Sequence, residues 1–355
     1  MNVGLLTFHW ANNPGALLQA YGLSKSIEGL GHTVRVIDYT PPSWRMPWWQ
    51  GWGLRHGTPG VGLGRLRFDR FRSARLPRTD KSPTAERLPS LATQFNAVIV
   101  GSDQVWNGNI VQADAAQYFL GFVGDNKCRR ISYAACFGER EQPQQTIAAA
   151  GRLLPAFDRI SVRNELSATL VRELSGRDSQ LVLDPSLLHD YRGLVPDAPK
   201  PSGYIAVYYV SGAHAAAGRD IVGELRKRLR LPVISFGADR RLIHGDRDIL
   251  SAGPLEWIRL LHQASFICTD SFHATAFALK FRKPFLAWPG LRVGRLESLL
   301  TLCGLSERLQ ATGAAEIAAL ATREIDFDGV FARLAPHVGR SRAFLESALS
   351  QQGGA

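Results

Sequence analysis

The sequence predicts an α/β protein made of two doubly wound domains. Three observations predict it. The chain has 355 residues, more than one compact domain usually holds. Short apolar runs alternate with stretches of helical periodicity, the pattern of a mainly parallel sheet. A proline-rich break, Val-Pro-Asp-Ala-Pro-Lys-Pro-Ser-Gly at 195–203, divides that alternation into two series and has the composition of an extended, stiff linker.

The first series opens with an apolar run at 3–8, helical periodicity over 15–30 stopped by Gly31, and a β-branched run at 33–37. Strands are expected at 97–100, 131–135, 159–162 and 181–183, with helices at 144–154 and 165–174. Beyond the break, strands are expected at 204–210, 233–236, 266–269 and 285–288, and helices at 254–263 and 273–281. The division is therefore an N-terminal domain over 1–196, a second domain over 203–325 and a helical tail over 326–355. In doubly wound sheets ligands lie beyond the carboxyl ends of the strands, and a cleft between two such domains is the expected active site.

Residues 41–80 interrupt the first series with an unusual composition. Trp44, Trp48, Trp49 and Trp52 stand among prolines and glycines, followed by Arg65, Arg67, Arg70, Arg72, Arg75 and Arg78. Exposed tryptophans stack on sugars or sit at lipid headgroups, and arginines attract phosphates, so the segment suits a glycan acceptor or an anionic membrane surface. It equally suits an insertion folded over the first domain, with Phe68 and Phe71 buried at helical spacing and the arginines solvated. Its Gly-Val-Gly-Leu-Gly run follows no strand and makes a poor dinucleotide fingerprint.

Composition narrows the function classes. With 45% apolar and 21% charged residues the chain has ordinary globular usage. The formal charge of +11 suits anionic partners, but zinc-finger spacing, a basic heptad region and an RNP-type aromatic motif are all missing, which argues against nucleic acid. Cys128, Cys136, Cys268 and Cys303 lack Cys-x-x-Cys spacing, and three of them sit in apolar or small-residue contexts typical of buried free thiols, which points to a reducing cytoplasm and no metal. No apolar run reaches the roughly 20 residues of a membrane span, and no basic region precedes the first apolar stretch. The expected location is cytoplasmic, free or peripheral on the inner face of the membrane.

Four motifs at strand ends carry the chemistry. Asn13-Pro14-Gly15 starts a helix where backbone N–H groups favour an anion, though a plain βα turn has the same appearance. Gly101-Ser102-Asp103-Gln104-Val105-Trp106-Asn107 crowds a carboxylate, amides and an aromatic ring into one loop, as a sugar or carboxylate site does. Arg163 closes the strand at 159–162, where its planar fork suits phosphate or carboxylate, while pairing with an acidic neighbour is the structural alternative. Thr269-Asp270-Ser271-Phe272-His273-Ala274-Thr275 runs from a strand into a helix. There the helix dipole disfavours the imidazolium of His273, suiting it to proton exchange, and Asp270 either orients it or caps the helix.

In order along the chain, the segments N-P-G-A-L-L-Q-A-Y-G-L, G-S-D-Q-V-W-N, S-Y-A-A-C-F-G, I-S-V-R-N, L-D-P-S-L-L, G-P-L-E-W and T-D-S-F-H-A-T-A-F-A-L-K-F-R-K-P-F resemble those of the polysaccharide pyruvyl transferases. The resemblance implies two Rossmann-like domains, similar to the GT-B glycosyltransferase fold. It implies phosphoenolpyruvate as donor, a sugar of a polysaccharide or lipid-linked glycan as acceptor, a cyclic pyruvate ketal as product, and no cofactor, metal or nucleotide. The family's histidine falls on His273, its strand-end arginine on Arg163, and a further basic residue on Arg292. Ser271 and Phe272 stand where ketal-forming members carry arginine and leucine. The catalytic pair is thus His273 and Arg163, the donor set Arg163, Arg292, Ser271, Thr275, Asn13 and Gly15, and the acceptor set Asp103, Gln104, Trp106 and Asn107. Two alternatives differ in kind: a nucleotide-sugar glycosyltransferase, for which Glu297 is the nearby acid to grip a ribose, and a non-catalytic glycan- or membrane-binding protein.

Overall fold

The computed structural model describes residues 1–45, 59–80, 84–195, 203–210, 215–236, 243–250, 252–290, 294–311 and 313–350, with backbone alone at 59–62. Arg292, Trp48, Trp49, Trp52 and most of the proline-rich break lie outside the described residues. The chain divides into two compact units, one of Met1–Met46, Arg72–His189 and His337–Ala355, the other of Pro47–Phe71 and Asp190–Pro336. The units are thus interleaved in sequence. No helix among the described residues is long and apolar enough to cross a membrane.

In the first unit six strands form one parallel sheet: β1 (Asn2–Leu6), β2 (Thr33–Val36), β3 (Ala97–Asp103), β4 (Arg129–Ala135), β5 (Arg159–Val162) and β6 (Gln180–Leu181), in the order β2-β1-β3-β4-β5-β6. The chain steps one way from β1 to β2, then returns to β3 and continues the other way. The point where the winding reverses therefore lies between β1 and β3. Helix α1 (Pro14–Gly29) is buried along nearly its whole length. Asn13 caps it by accepting from Ala16 N (3.2 Å), and Pro14 fits the first position, where no N–H is needed. The core combines Leu6, Ile37, Val98, Val100, Trp106, Phe119, Phe137 and Phe157 with their neighbours.

Helix α2 (Pro59–Arg75) occupies the tryptophan- and arginine-rich segment, with Phe68 and Phe71 buried as their spacing predicts. Three short helices follow, α3 (Leu88–Ala92), α4 (Gly108–Val111) and α5 (Ala115–Tyr118), then α6 (Gln144–Leu153) and α7 (Glu165–Ser175). Asn164 caps α7 through Ser167 N (3.1 Å), and Gly176 ends it at φ +68°.

The second unit holds β7 (Ile205–Tyr208), α8 (Ala215–Leu229), β8 (Val233–Ser235), β9 (Arg247–Asp248), α9 (Pro254–Gln263), β10 (Phe266–Thr269), α10 (Phe272–Lys280), β11 (Phe285–Ala287), α11 (Gly294–Cys303) and α12 (Ala314–Thr322). Its parallel sheet has the order β11-β10-β7-β8-β9, so its winding reverses between β7 and β10. Ile205, Val207, Phe266, Cys268, Leu286 and Trp288 form its core. The last helix, α13 (Phe327–Leu349), has Pro336 inside it, where the division between units falls. Beyond that proline, Ser341 accepts from Leu183 N (2.9 Å) within the first unit.

Candidate functional site

Arg163 follows β5, while the motifs at 13–15, 101–107 and 269–275 follow β1, β3 and β10, strands that flank the reversal point of their unit's sheet. Doubly wound sheets open there because the connecting helices leave toward opposite faces.

In the first unit β3 runs three residues further than its apolar run predicts, so Gly101, Ser102 and Asp103 belong to the strand rather than a loop. Gly101 has φ +120°, and a Cβ there would lie 2.1 Å from the Tyr133 carbonyl oxygen of β4, so only glycine fits. Strands β4 and β5 change register between Ser132 and Ala135. Two serines satisfy the break: Ser132 Oγ donates to Ser161 O (3.0 Å), and Ser161 Oγ to Ser132 O (2.9 Å). These motif serines hold the backbone that carries Arg163.

The Arg163 side chain is 3% exposed, and its guanidinium lies between two carboxylates. Nη1 donates to Asp184 Oδ2 (2.7 Å) and Nη2 to Asp103 Oδ1 (3.2 Å). Asp184 is itself buried, accepting also from Ser102 Oγ (3.0 Å) and Ser186 N (3.0 Å). Burial by itself would lower the pKa of Arg163, but Cys136, Asp184 and Asp103 outweigh it and raise the value above the usual arginine range. The carboxylate alternative is therefore realised, with Asp184 and Asp103 as partners.

The acceptor set needs correction. Trp106 is fully buried, stacked on Phe119 (5.3 Å, 16°), flanked by Phe137 and Phe157, and hydrogen-bonded from Nε1 to Tyr118 O (3.0 Å). Its ring faces are covered, so it cannot stack on a sugar. Asn107 caps α4 through Asn109 N (3.0 Å) and donates from Nδ2 to Gln104 Oε1 (2.8 Å), and both amides are buried. Opposite them Gly138, at φ +81°, leaves room that a Cβ would fill, 2.3 Å from Gln104 Oε1 and 2.6 Å from Asn107 Nδ2. Of the four, Asp103 alone is partly exposed.

Two arrangements at this end of the sheet escaped sequence reasoning. Arg72, buried, grips the loop between β1 and α1: Nε donates to His9 O (2.8 Å), and Nη2 to Trp10 O (2.9 Å), Ala11 O (3.0 Å) and Asn12 Oδ1 (2.7 Å). Buried His9 contacts Asp38 through Nε2 (2.8 Å), and Arg78 Nη1 meets the other carboxylate oxygen (3.0 Å). Burial of Asp38 works toward a raised pKa, but the His9 hydrogen bond and the charges of His9, Arg78 and Arg72 prevail and lower it. The arginine spacing hinted at this, but their partners lie 40–63 residues away.

In the second unit His273 occupies the first turn of α10, directly beyond β10, and is 8% exposed. Ser271 caps the helix by accepting from Ala274 N (3.3 Å), while its own N–H donates to Thr269 Oγ1 (3.0 Å). Asp270 does not cap. Its Oδ1 accepts from Val210 N (2.7 Å), joining the loops after β7 and β10 across the reversal point. Phe272 packs edge-on against the His273 ring (5.3 Å, 85°), with the Arg295 guanidinium over Phe272. Thr275, placed in the donor set, is fully buried within α10 and is corrected to a core position. Ser271 serves as the cap, and Glu297 is exposed in the first turn of α11. Asn13 and Gly15 lie at the start of α1 as expected.

The chain is similar in fold to the UDP-GlcNAc 2-epimerase from Methanocaldococcus jannaschii, at 11% identity and a TM-score of 0.54, with 92% of this chain and 93% of that one covered. It is also similar to the UDP-GlcNAc 2-epimerase from Neisseria meningitidis, solved with UDP-GlcNAc, at 12% identity and a TM-score of 0.54, covering 98% and 99%. The enzyme of the same name from Rickettsia bellii gives 13% identity and 0.53, covering 98% and 94%. At such identities the likeness establishes the two-domain Rossmann-like α/β fold alone. No curated protein sequence matches the chain. The model of the polysaccharide pyruvyl transferases matches residues 13–287, about three quarters of the chain and every motif described above. With that span, the chain belongs to the polysaccharide pyruvyl transferase family, a family of transferases acting on polysaccharide.

Proposed function

We propose that the protein moves the enolpyruvyl group of phosphoenolpyruvate onto two hydroxyls of a glycan, giving a cyclic pyruvate ketal and inorganic phosphate. The observation that carries this reading is the place of His273, a proton-exchanging side chain in the first turn of α10 beside its sheet's reversal point. A proton adds to the methylene carbon, which becomes the methyl group, and one hydroxyl oxygen bonds to the central carbon. The second hydroxyl oxygen then bonds to that carbon as its bond to phosphate oxygen breaks. Of the two hydroxyl protons, one balances the new C–H bond and the other leaves with phosphate. His273 is the general acid/base of this sequence. The start of α10 and Arg292 favour the donor's anionic groups.

Within the first unit Asp103 is the partly exposed carboxylate offered to a glycan, and Arg163 works through it as a positioning residue. Carbon-labelled phosphoenolpyruvate, incubated with the protein and either free or lipid-linked glycans, should transfer label to a glycan with one phosphate released per label. A protein that transfers no label, yet is stabilised against heat by a UDP-sugar and not by phosphoenolpyruvate, would instead be a nucleotide-sugar enzyme.

A further inference from the structure

The tryptophans at 10 and 44 form a ledge that the donor chemistry does not use. Trp44 is 43% exposed, a large apolar surface left open. It is not loosely held. Its Nε1 donates to Ile110 O (2.7 Å), and its ring lies 5.3 Å from that of Trp10 at 34°. Trp10 is fixed in turn: its Nε1 donates to Tyr118 OH (3.1 Å), its ring packs on Phe8, and Arg72 grips its carbonyl. Both indole N–H groups are thus satisfied from within, and what remains outward is a preset aromatic face. A partner docking there meets a ring whose rotamer entropy was lost on folding.

Location and surroundings indicate the occupant. Trp10 follows β1, Trp44 follows β2, and Ile110 follows β3, so the ledge is assembled at the carboxyl ends of the strands around the reversal point. The stretch that receives Trp44 also carries exposed Asn109 and Gln112, and Asp114, which accepts from Tyr39 OH. Asn109 Nδ2 donates to Glu139 (2.9 Å), and Arg45 Nε to Thr40 O (3.1 Å). An aromatic face on chain that also carries amides, carboxylates and the single guanidinium of Arg45 matches a pyranose ring, whose axial C–H bonds pack on a π-surface while its equatorial hydroxyls seek hydrogen bonds at the edge. A lipid surface would favour a rim of lysines and arginines with few carboxylates.

We propose that the Trp10–Trp44 ledge docks a hexopyranose ring of the glycan acceptor, a statement that rests on the pyruvyl-transfer reading for the word acceptor. The test is binding of wild type, Trp44→Ala and Trp44→Phe to an array of hexose- and N-acetylhexosamine-terminated oligosaccharides, without phosphoenolpyruvate. At least one hexose-terminated glycan should bind wild type, bind W44A about tenfold more weakly, and bind W44F within about twofold of wild type. Trp10→Phe, which keeps a ring but loses the bond to Tyr118, should fall between them. Circular-dichroism melting confirms that each variant is folded. Wild type binding no glycan, or W44A binding as wild type does, overturns the proposal. So does a W44A protein that keeps glycan binding but loses binding to phosphatidylglycerol vesicles, an outcome that assigns the ledge to a membrane. The two readings fail separately. Glycan binding that depends on Trp44 with no label moved from phosphoenolpyruvate removes the transfer reading alone. Label transfer to a glycan whose binding ignores Trp44 removes the ledge alone.

Discussion

The end of β3 in the first unit and the end of β10 in the second carry similar promise in sequence and different structures. At β3 the polar residues are numerous and nearly all engaged with one another: Gln104 with Asn107, Arg163 with Asp184 and Asp103, Ser102 with Asp184. At β10 they serve separate tasks. Ser271 caps, Asp270 ties two loops, and His273 stands in the first helical turn. A crowd of hydrogen-bonding side chains next to a strand is thus a sign of internal scaffolding as much as of a ligand site.

The comparison breaks most readily at His273. His273→Ala should lower turnover on a verified acceptor by about 10²- to 10⁴-fold while the melting temperature stays close to wild type. Near-normal turnover would remove the difference between the two regions. Arg163→Ala should act in the other order, costing about 3–5 kcal/mol of unfolding free energy in urea because Asp184 is left buried without its cation. A variant as stable as wild type but inactive would move Arg163 from scaffold to ligand contact.

Asp38→Asn should cost about 2–3 kcal/mol at pH 7, since Arg78 and His9 lose a largely buried partner. The sign with pH follows from the depressed folded-state value. The carboxylate's stabilisation is complete above its ordinary value of 3.8 and is lost as pH falls through the lower folded value. Urea midpoints of wild type and D38N should therefore stay apart at pH 7 and 5 and converge toward pH 2. The smallest effect is expected from Ser271→Ala, about 1 kcal/mol from the lost cap of α10. A much larger drop in turnover than in stability would show that the hydroxyl also meets the donor.

Much of the fold was legible because its signals are local. Core strands such as residues 97–100 and 266–269 are continuous apolar runs, and Asn13 and Asn164 announce the helices they cap. Helices α8, α11 and α12 and the two-residue strand β9 were not anticipated. Strand β9 is too short to show a period, and its exposed Arg247 and Asp248 carry no apolar signal. At the site, the positions of His273 and Asn13 were legible for the same local reason. The partners of Arg163 were not, because Asp184 and Asp103 lie 21 and 60 residues away and only register brings them together. Trp106 misled because its neighbours Phe119, Phe137 and Phe157 come from three other elements. Arg72 looked like one solvated arginine among six, and the carbonyls it binds have no signature in sequence.

The missing side chain of Gly138 has a consequence for how this protein is able to change over generations. Its hollow is filled by the amides of Gln104 and Asn107, which already hold each other. A lineage that acquires alanine at 138 must first shorten or withdraw an amide more than thirty residues earlier. A lineage that shortens Gln104 takes away the acceptor of the Asn107 side-chain N–H. The three positions therefore form one heritable character, and substitutions there are expected to arise as compensated sets rather than singly.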